Sequence, residues 1–233
     1  PNDFLIFKNN IVVCDTDNYL IQIFDKKFKF IKQYFNKGIK KNHLDYALSF
    51  DNYKNTIYIC DTNNDRIISY NIVNNATNII LKYFHSNNSL RRPSSVLSDS
   101  QDNIFVSDRS NNYIKIFDFN YKFISKSNKL KQPSKIKFYT KNKNNYLIVL
   151  ERNDYSCARL TVFKIIYSDT VKLIKKSSKY LKFLRDPQDF TIIKNKIIFM
   201  DTLNRRLVLT SINAKLLSFI NLDSVTNNKK ILC

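Results

Sequence analysis

The sequence predicts an all-β chain, a β-propeller of four-stranded antiparallel blades, and three observations carry that prediction. One short unit recurs five times along the 233 residues: an apolar run, an acidic residue, a polar turn and a second apolar alternation. Its acidic residues, Asp15, Asp61, Asp108, Glu151 and Asp201, stand at steps of 46, 47, 43 and 50 residues, the period of a propeller blade. The apolar positions alternate with period two and are rich in β-branched and aromatic types, as half-buried strands require, and no stretch carries a convincing helical period.

Four strands, a to d, follow in order within each unit. Strand a is the alternating stretch behind Pro1, Pro93, Pro133 or Pro187, which stand 14 to 18 residues before the acid, with Leu44 in the matching place of the second unit. The a–b turns are the polar runs 8–10, 53–56, 100–103, 141–145 and 194–196. Such turns favour glycine at positive φ, and asparagine is the best substitute with a Cβ. With Gly38 as the only glycine, asparagine is expected to make them. Strands b and c flank the acid in IVVCDTDNYLIQIF (11–24), IYICDTNNDRIISY (57–70), IFVSDRSNNYIKIF (104–117), LIVLERNDYSCARLTVF (147–163) and IIFMDTLNRRLVLT (197–210). Strand d lies in runs such as 27–35, 121–127 and 214–222. The repeats therefore span about 1–43, 44–90, 91–131, 132–185 and 186–222, with a partial sixth at 223–233 that resembles residues 8–14. A six-bladed parent is expected; the alternative is a seam that closes on the first blade. A chain opening on Pro1 is expected to be a segment of a longer protein.

Composition narrows the chemistry. With one glycine, no G-x-G-x-x-G, Walker A or G-x-S-x-G motif can be written, which removes nucleotide loops of that kind and the α/β-hydrolase elbow. His43 and His85 lie far apart, and Cys14, Cys60, Cys157 and Cys233 never approach C-x-x-C spacing, so a zinc site has no sequence support. Unpatterned cysteines fit a reducing compartment, and the chain is expected to be intracellular and cytoplasmic. Apolar runs are too short for a membrane span, and no membrane insertion is expected. The net charge is +20, from 39 basic and 19 acidic residues, and 30 of the basic residues are lysine. Lysine and asparagine are products of AT-rich codons, and lysine on an outer strand also blocks edge-to-edge pairing. Most of the charge thus speaks to solubility rather than to a site.

The units resemble NHL repeats, whose pattern runs proline, apolar strand, Asp-[Ser/Thr]-x-Asn-x-Arg, apolar strand. Asp61-Thr62-Asn63-Asn64-Asp65-Arg66 and Asp201-Thr202-Leu203-Asn204-Arg205-Arg206 match closely. Leu20 and Tyr113 stand where the first and third units would carry the arginine. The fourth unit departs most, with Glu151, no aligned Asn and about three extra residues before Arg159. The resemblance covers nearly the whole chain and implies a structural role for the acid in the b–c turn. Asp15, Asp61, Asp108 and Asp201 are accordingly read as turn residues that accept nearby backbone N–H groups, ahead of a calcium-loop reading. Cys14 and Cys60, with Ser107, Leu150 and Met200 in the equivalent places, are read as buried positions of strand b.

Catalysis finds little support, and no catalytic residue, metal or cofactor is expected. Two histidines cannot furnish the zinc site of propeller lyases, and no carboxylate pair stands out for acid–base work. All nine arginines fall in or beside the d–a and b–c connections, which share one side of a blade. Arg66, Arg159 and Arg206 are the pattern's own and are expected to pair with the motif acids. Arg91, Arg92, Arg109, Arg152, Arg185 and Arg205 are the candidate ligand face, because a planar guanidinium suits carboxylate and phosphate. The expected function is a non-enzymatic, monomeric binding platform for an acidic protein partner. The alternative is single-stranded RNA on the same face, with Tyr19, Tyr113 and Tyr155 as stacking platforms; a metal-dependent lactonase-like hydrolase stands third.

Overall fold

The structure is a computed structural model that describes residues 2–81, 88–153 and 157–222. Pro1, His85, Asp154, Tyr155 and the partial repeat at 223–233, with Cys233, lie outside the described residues. The chain divides into two compact units, Pro1–Ser127 and Asn128–Cys233.

Unit one holds three antiparallel sheets, each with its four strands side by side in sequence order. The first is β1 (Asp3–Phe7), β2 (Asn10–Asp15), β3 (Leu20–Asp25) and β4 (Phe30–Tyr34); the second is β5 (Ala47–Tyr53), β6 (Thr56–Asp61), β7 (Arg66–Asn71) and β8 (Thr77–Leu81). The third is β9 (Pro93–Ser98), β10 (Ile104–Asp108), β11 (Tyr113–Phe117) and β12 (Phe123–Lys126). Unit two holds two sheets of the same order: β13 (Pro133–Lys141), β14 (Asn144–Asn153), β15 (Cys157–Tyr167) and β16 (Val171–Leu181), then β17 (Pro187–Ile193), β18 (Lys196–Asp201), β19 (Arg206–Ser211) and β20 (Leu216–Asn221). Five blades thus stand where five repeats were read. The helical content named among the described residues is two single 3-10 turns, Thr62–Asn64 and Thr202–Asn204, both directly behind a motif Asp.

Apolar alternation places the core between successive sheets. Val12, Ile21, Ile57 and Ile59 pack between the first and second sheets, and Cys60, Ile67, Val96, Ile104 and Val106 between the second and third. In unit two, Ile148, Leu150, Leu160, Ile197, Phe199 and Val208 do the same. Cys14 and Cys60 are buried and unbridged. Met200 departs from the expectation for that place: on strand b of the fifth sheet it is 48% exposed.

Register corrects one alignment. Pro93, Pro133 and Pro187 each pair with the motif acid of their own unit, and in the second unit the residue that pairs with Asp61 is Ala47, not Leu44. Leu44 instead matches Leu90, Leu130 and Leu184, each three residues before the strand and each buried. These leucines anchor the d–a loops, a pattern of Leu-x-x-Pro that the proline hid.

The turns correct a second expectation. Nineteen non-glycine residues among those described have positive φ, and only Asn75, Asn112 and Asn142 of them are asparagine. The a–b hairpins put lysine there: Lys8 (φ 54°), Lys54 (55°) and Lys194 (55°), with the following asparagine in the second turn position. Strand pairing on both sides of a two-residue loop imposes the backbone, and a solvent-facing lysine accepts a left-handed strain of about 1 kcal/mol.

Candidate functional site

In the second to fifth units the motif acid reaches back across its blade to the incoming loop. Asp61 Oδ1 accepts the Asp45 N–H at 2.7 Å, Asp108 Oδ1 that of Arg91 at 2.7 Å, Glu151 Oε2 that of Lys131 at 2.6 Å and Asp201 Oδ1 that of Arg185 at 2.6 Å. The expected bond to the turn's own N–H groups is absent at Asp61 and Asp201, whose side chains make no such cap. The second oxygen explains the rest of the pattern. Asp61 Oδ2 accepts Asn64 Nδ2 and Arg66 Nε, and Asp201 Oδ2 accepts Asn204 Nδ2 and Arg206 Nε. Arg66 spends its other donors on the carbonyls of Ile39, Lys40 and His43, and Arg206 reaches that of Phe183. In the fourth unit Arg159 and Thr161 both donate to Glu151.

Where the arginine is missing, a residue two places later replaces it. Lys115, only 2% exposed, sets its Nζ 2.7 Å from Asp108 Oδ2 and donates to the Ser89 carbonyl. Gln22 donates to Asp15 Oδ2 in the first unit, beside Asn18. The signal was the strand period itself, because positions two apart on strand c share a face. Threonine completes the motif: Thr16 and Thr62 donate to the carbonyls of Ala47 and Pro93, which open strand a of the following blade.

This stapling fixes where the basic side chains go. In each Leu-x-x-Pro or Leu-x-x-Ala loop, the residue after the leucine gives its N–H to the acid, and the next has positive φ: Tyr46, Arg92, Gln132 or Asp186. The Arg91, Lys131 and Arg185 side chains are exposed, as is that of Arg92, whose N–H is held by Asp65 Oδ1 at 2.6 Å. Arg205 is exposed on its left-handed backbone behind the Thr202–Asn204 turn, and Arg109 is half-buried in the b–c turn of the third blade. Arg152 is already committed: it pairs with Asp186 and donates to Gln188 Oε1. Lysine is not confined to the outer strands. Lys37, Lys40 and Lys41 stand exposed on the loop that Arg66 clamps, next to Ile39, which is 78% exposed.

The tyrosines read as stacking platforms are partly occupied. The Lys37 ammonium lies 4.7 Å from the Tyr19 ring centroid and that of Lys126 4.4 Å from Tyr113, distances at which a cation is held on a π face. His43 is half-buried in the 35–46 loop, where its carbonyl accepts from Arg66. Burial raises the Asp61 carboxyl above the usual range, against the Asp45 N–H, Asn64 and Arg66, which lower it. The Glu151 bond, with its charge, holds Arg159 still more firmly protonated. Among the described residues no three His, Cys, Asp or Glu side chains gather to hold a metal ion, and no helix is long and apolar enough to cross a membrane.

No protein-family model matches the chain, and no curated protein matches its sequence. Solved structures do. Virginiamycin B lyase from Staphylococcus aureus aligns with a TM-score of 0.62 at 10% identity, over 94% of this chain and 68% of that one. A Bacteroides uniformis protein provisionally described as a 6-phosphogluconolactonase gives 0.64 at 10% identity, over 94% and 69%. A chain of the nidogen–laminin complex gives 0.58 at 14% identity, over 95% and 84%. Two of these carry enzyme names and one is part of a protein complex, so at such identities the likeness speaks to fold and not to activity. Five sequential four-stranded antiparallel blades and these three likenesses together make the chain an all-β protein of the β-propeller fold.

Proposed function

We propose that the blades are NHL-like repeats and that the chain is a non-enzymatic binding platform whose d–a and b–c loops take an acidic segment of a partner protein. The observation that carries this reading is the stapled loop position after the buried leucine. Its N–H is tied to the motif carboxylate while its side chain turns outward, and in the third, fourth and fifth blades that side chain is Arg91, Lys131 or Arg185. A basic group on a backbone already held in place loses less freedom on binding than one on a loose loop. Carboxylate is favoured over RNA because a lysine covers one face of Tyr19 and of Tyr113, where a base would stack.

The test is fluorescence anisotropy with a labelled polyglutamate peptide and a labelled uridine oligonucleotide, on the native chain and on R91A/R92A. The peptide is expected to bind and to lose about tenfold in affinity in the variant, in line with two charge-assisted contacts. Undiminished peptide binding in the variant refutes the platform as described, and tighter, Arg-dependent binding of the oligonucleotide transfers the face to RNA.

A further inference from the structure

The fourth sheet differs from the other four in a way the repeat does not require. Its strands run 9, 10, 11 and 11 residues, and its outer strand β16 is about twice as long as β4, β8, β12 and β20, of 5, 5, 4 and 6 residues. At about 3.3 Å per residue β16 presents an edge of roughly 36 Å. Among the described residues β15 is the one strand that pairs with it, and over 172–180 its other side presents main-chain donors and acceptors that no described strand takes up.

The other outer strands are shorter, and β4 and β20 also expose apolar side chains, Phe30 and Ile31 on the one and Leu216, Leu217, Phe219 and Ile220 on the other; what sets β16 apart is its length together with its lysines. On β16 the exposed side chains are lysine, serine and two large apolar groups. Lys172, Lys175, Lys176 and Lys179 are exposed; Ile174 among them is 46% exposed, and Tyr180 after them, with the Arg159 guanidinium 5.7 Å from its ring centroid, is 49% exposed. The β15–β16 hairpin carries no acid except Asp169, in the turn that joins its strands. The register shift opposite Val162 and Phe163 is no special guard, since all five c–d pairs carry one. Pairing sets Lys175 opposite Phe163 and Lys172 opposite Ile166. Strand alternation then directs these two lysines to opposite faces, so positive charge flanks the edge above and below.

We infer that β16 is a docking edge for an acidic, extended segment of a partner protein, which joins the fourth sheet as a fifth strand. Main-chain bonds supply the ladder; Lys172 and Lys179, opposite Ile166 and Leu160 and so on one face, meet Asp or Glu on the added strand, and Tyr180, opposite Arg159 on the other face, covers its apolar positions. This surface is separate from the loop platform proposed above.

The experiment uses the full chain and a fluorescein-labelled peptide of about nine alternating Glu and Val residues, within the usual length of a strand. A second copy is N-methylated at alternate backbone nitrogens. The plain peptide is expected to bind and to slow amide exchange across 172–180, while its N-methylated twin, equal in charge but unable to complete the ladder, binds about tenfold more weakly. K172E/K175E/K179E is expected to abolish binding and R91A/R92A to retain it. Equal binding of the two peptides, loss in the arginine variant with retention in the lysine variant, or equal competition by an oligothymidylate overturns the docking edge. Should the lysine variant fail to fold, the peptide pair on the native chain decides.

Discussion

Asp108 shows what one carboxylate does in the second to fifth repeats. It is fully buried and accepts the Arg91 N–H with one oxygen and Asn111 and Lys115 with the other. Asparagine in its place could still accept the Arg91 N–H, but its amide nitrogen would face two further donors and leave the Lys115 ammonium buried without a counter-charge. Asp108→Asn is therefore expected to lower unfolding free energy by about 3–5 kcal/mol, the usual cost of breaking a buried pair, measured by urea denaturation. A loss below about 1 kcal/mol, the scale of an exposed pair, would mean that the staple is replaceable by solvent. Arg91 sits on the same residue's account, since its backbone is fixed by Asp108 and its side chain points outward. The same variant is thus expected to blur the loop face as well as weaken the fold.

At the level of elements, the hairpins show where the fold tolerates strain. The Asn142-Lys143 turn joins β13 to β14 across the pair Lys141 and Asn144, and both of its residues have positive φ, 48° and 59°. That is the pattern of a type I′ turn, for which Asn-Gly is the preferred sequence. Lys143→Gly should stabilise the chain by about 0.5–1 kcal/mol, the relief at Lys143 exceeding the entropy glycine adds to the unfolded chain, visible as a higher melting temperature. An unchanged or lower value would show that the lysine side chain packs usefully there. The period of the acids and the alternation around them were enough to place every blade, because a strand's burial follows from its period of two. The loops were less legible. The leucine anchor was masked by the proline beside it, and Lys115 was invisible to a pattern that looked for arginine at one spacing. The sequence marks the fourth unit only as the one that departs most from the pattern, since nothing in an alternating run says which blade it will outgrow.

For the whole molecule the question is what a net charge of +20 costs. The pairs that hold the blades, Arg66 with Asp61 and Lys115 with Asp108, are buried, and salt screens buried pairs weakly. Exposed lysines are many among the described residues: β16 alone exposes four, and the Arg66-clamped loop three. Exposed like charges at this density repel one another in the compact state, and the repulsion is relieved on unfolding. Raising sodium chloride from about 0.05 to about 0.5 M shortens the screening length severalfold and should remove most of that term while leaving the staples intact. The melting temperature is expected to rise by about 2–4 °C, equivalent to roughly 1 kcal/mol for a chain of this size. A fall would place the stability in exposed ion pairs such as Lys54 with Asp102, whose side chains are 68% and 40% exposed. Two charge variants then separate the sources. K172E/K175E/K179E lowers the positive charge along one edge and should reduce the salt response in proportion, whereas R91A/R92A, which removes two charges from a loop, should change it less.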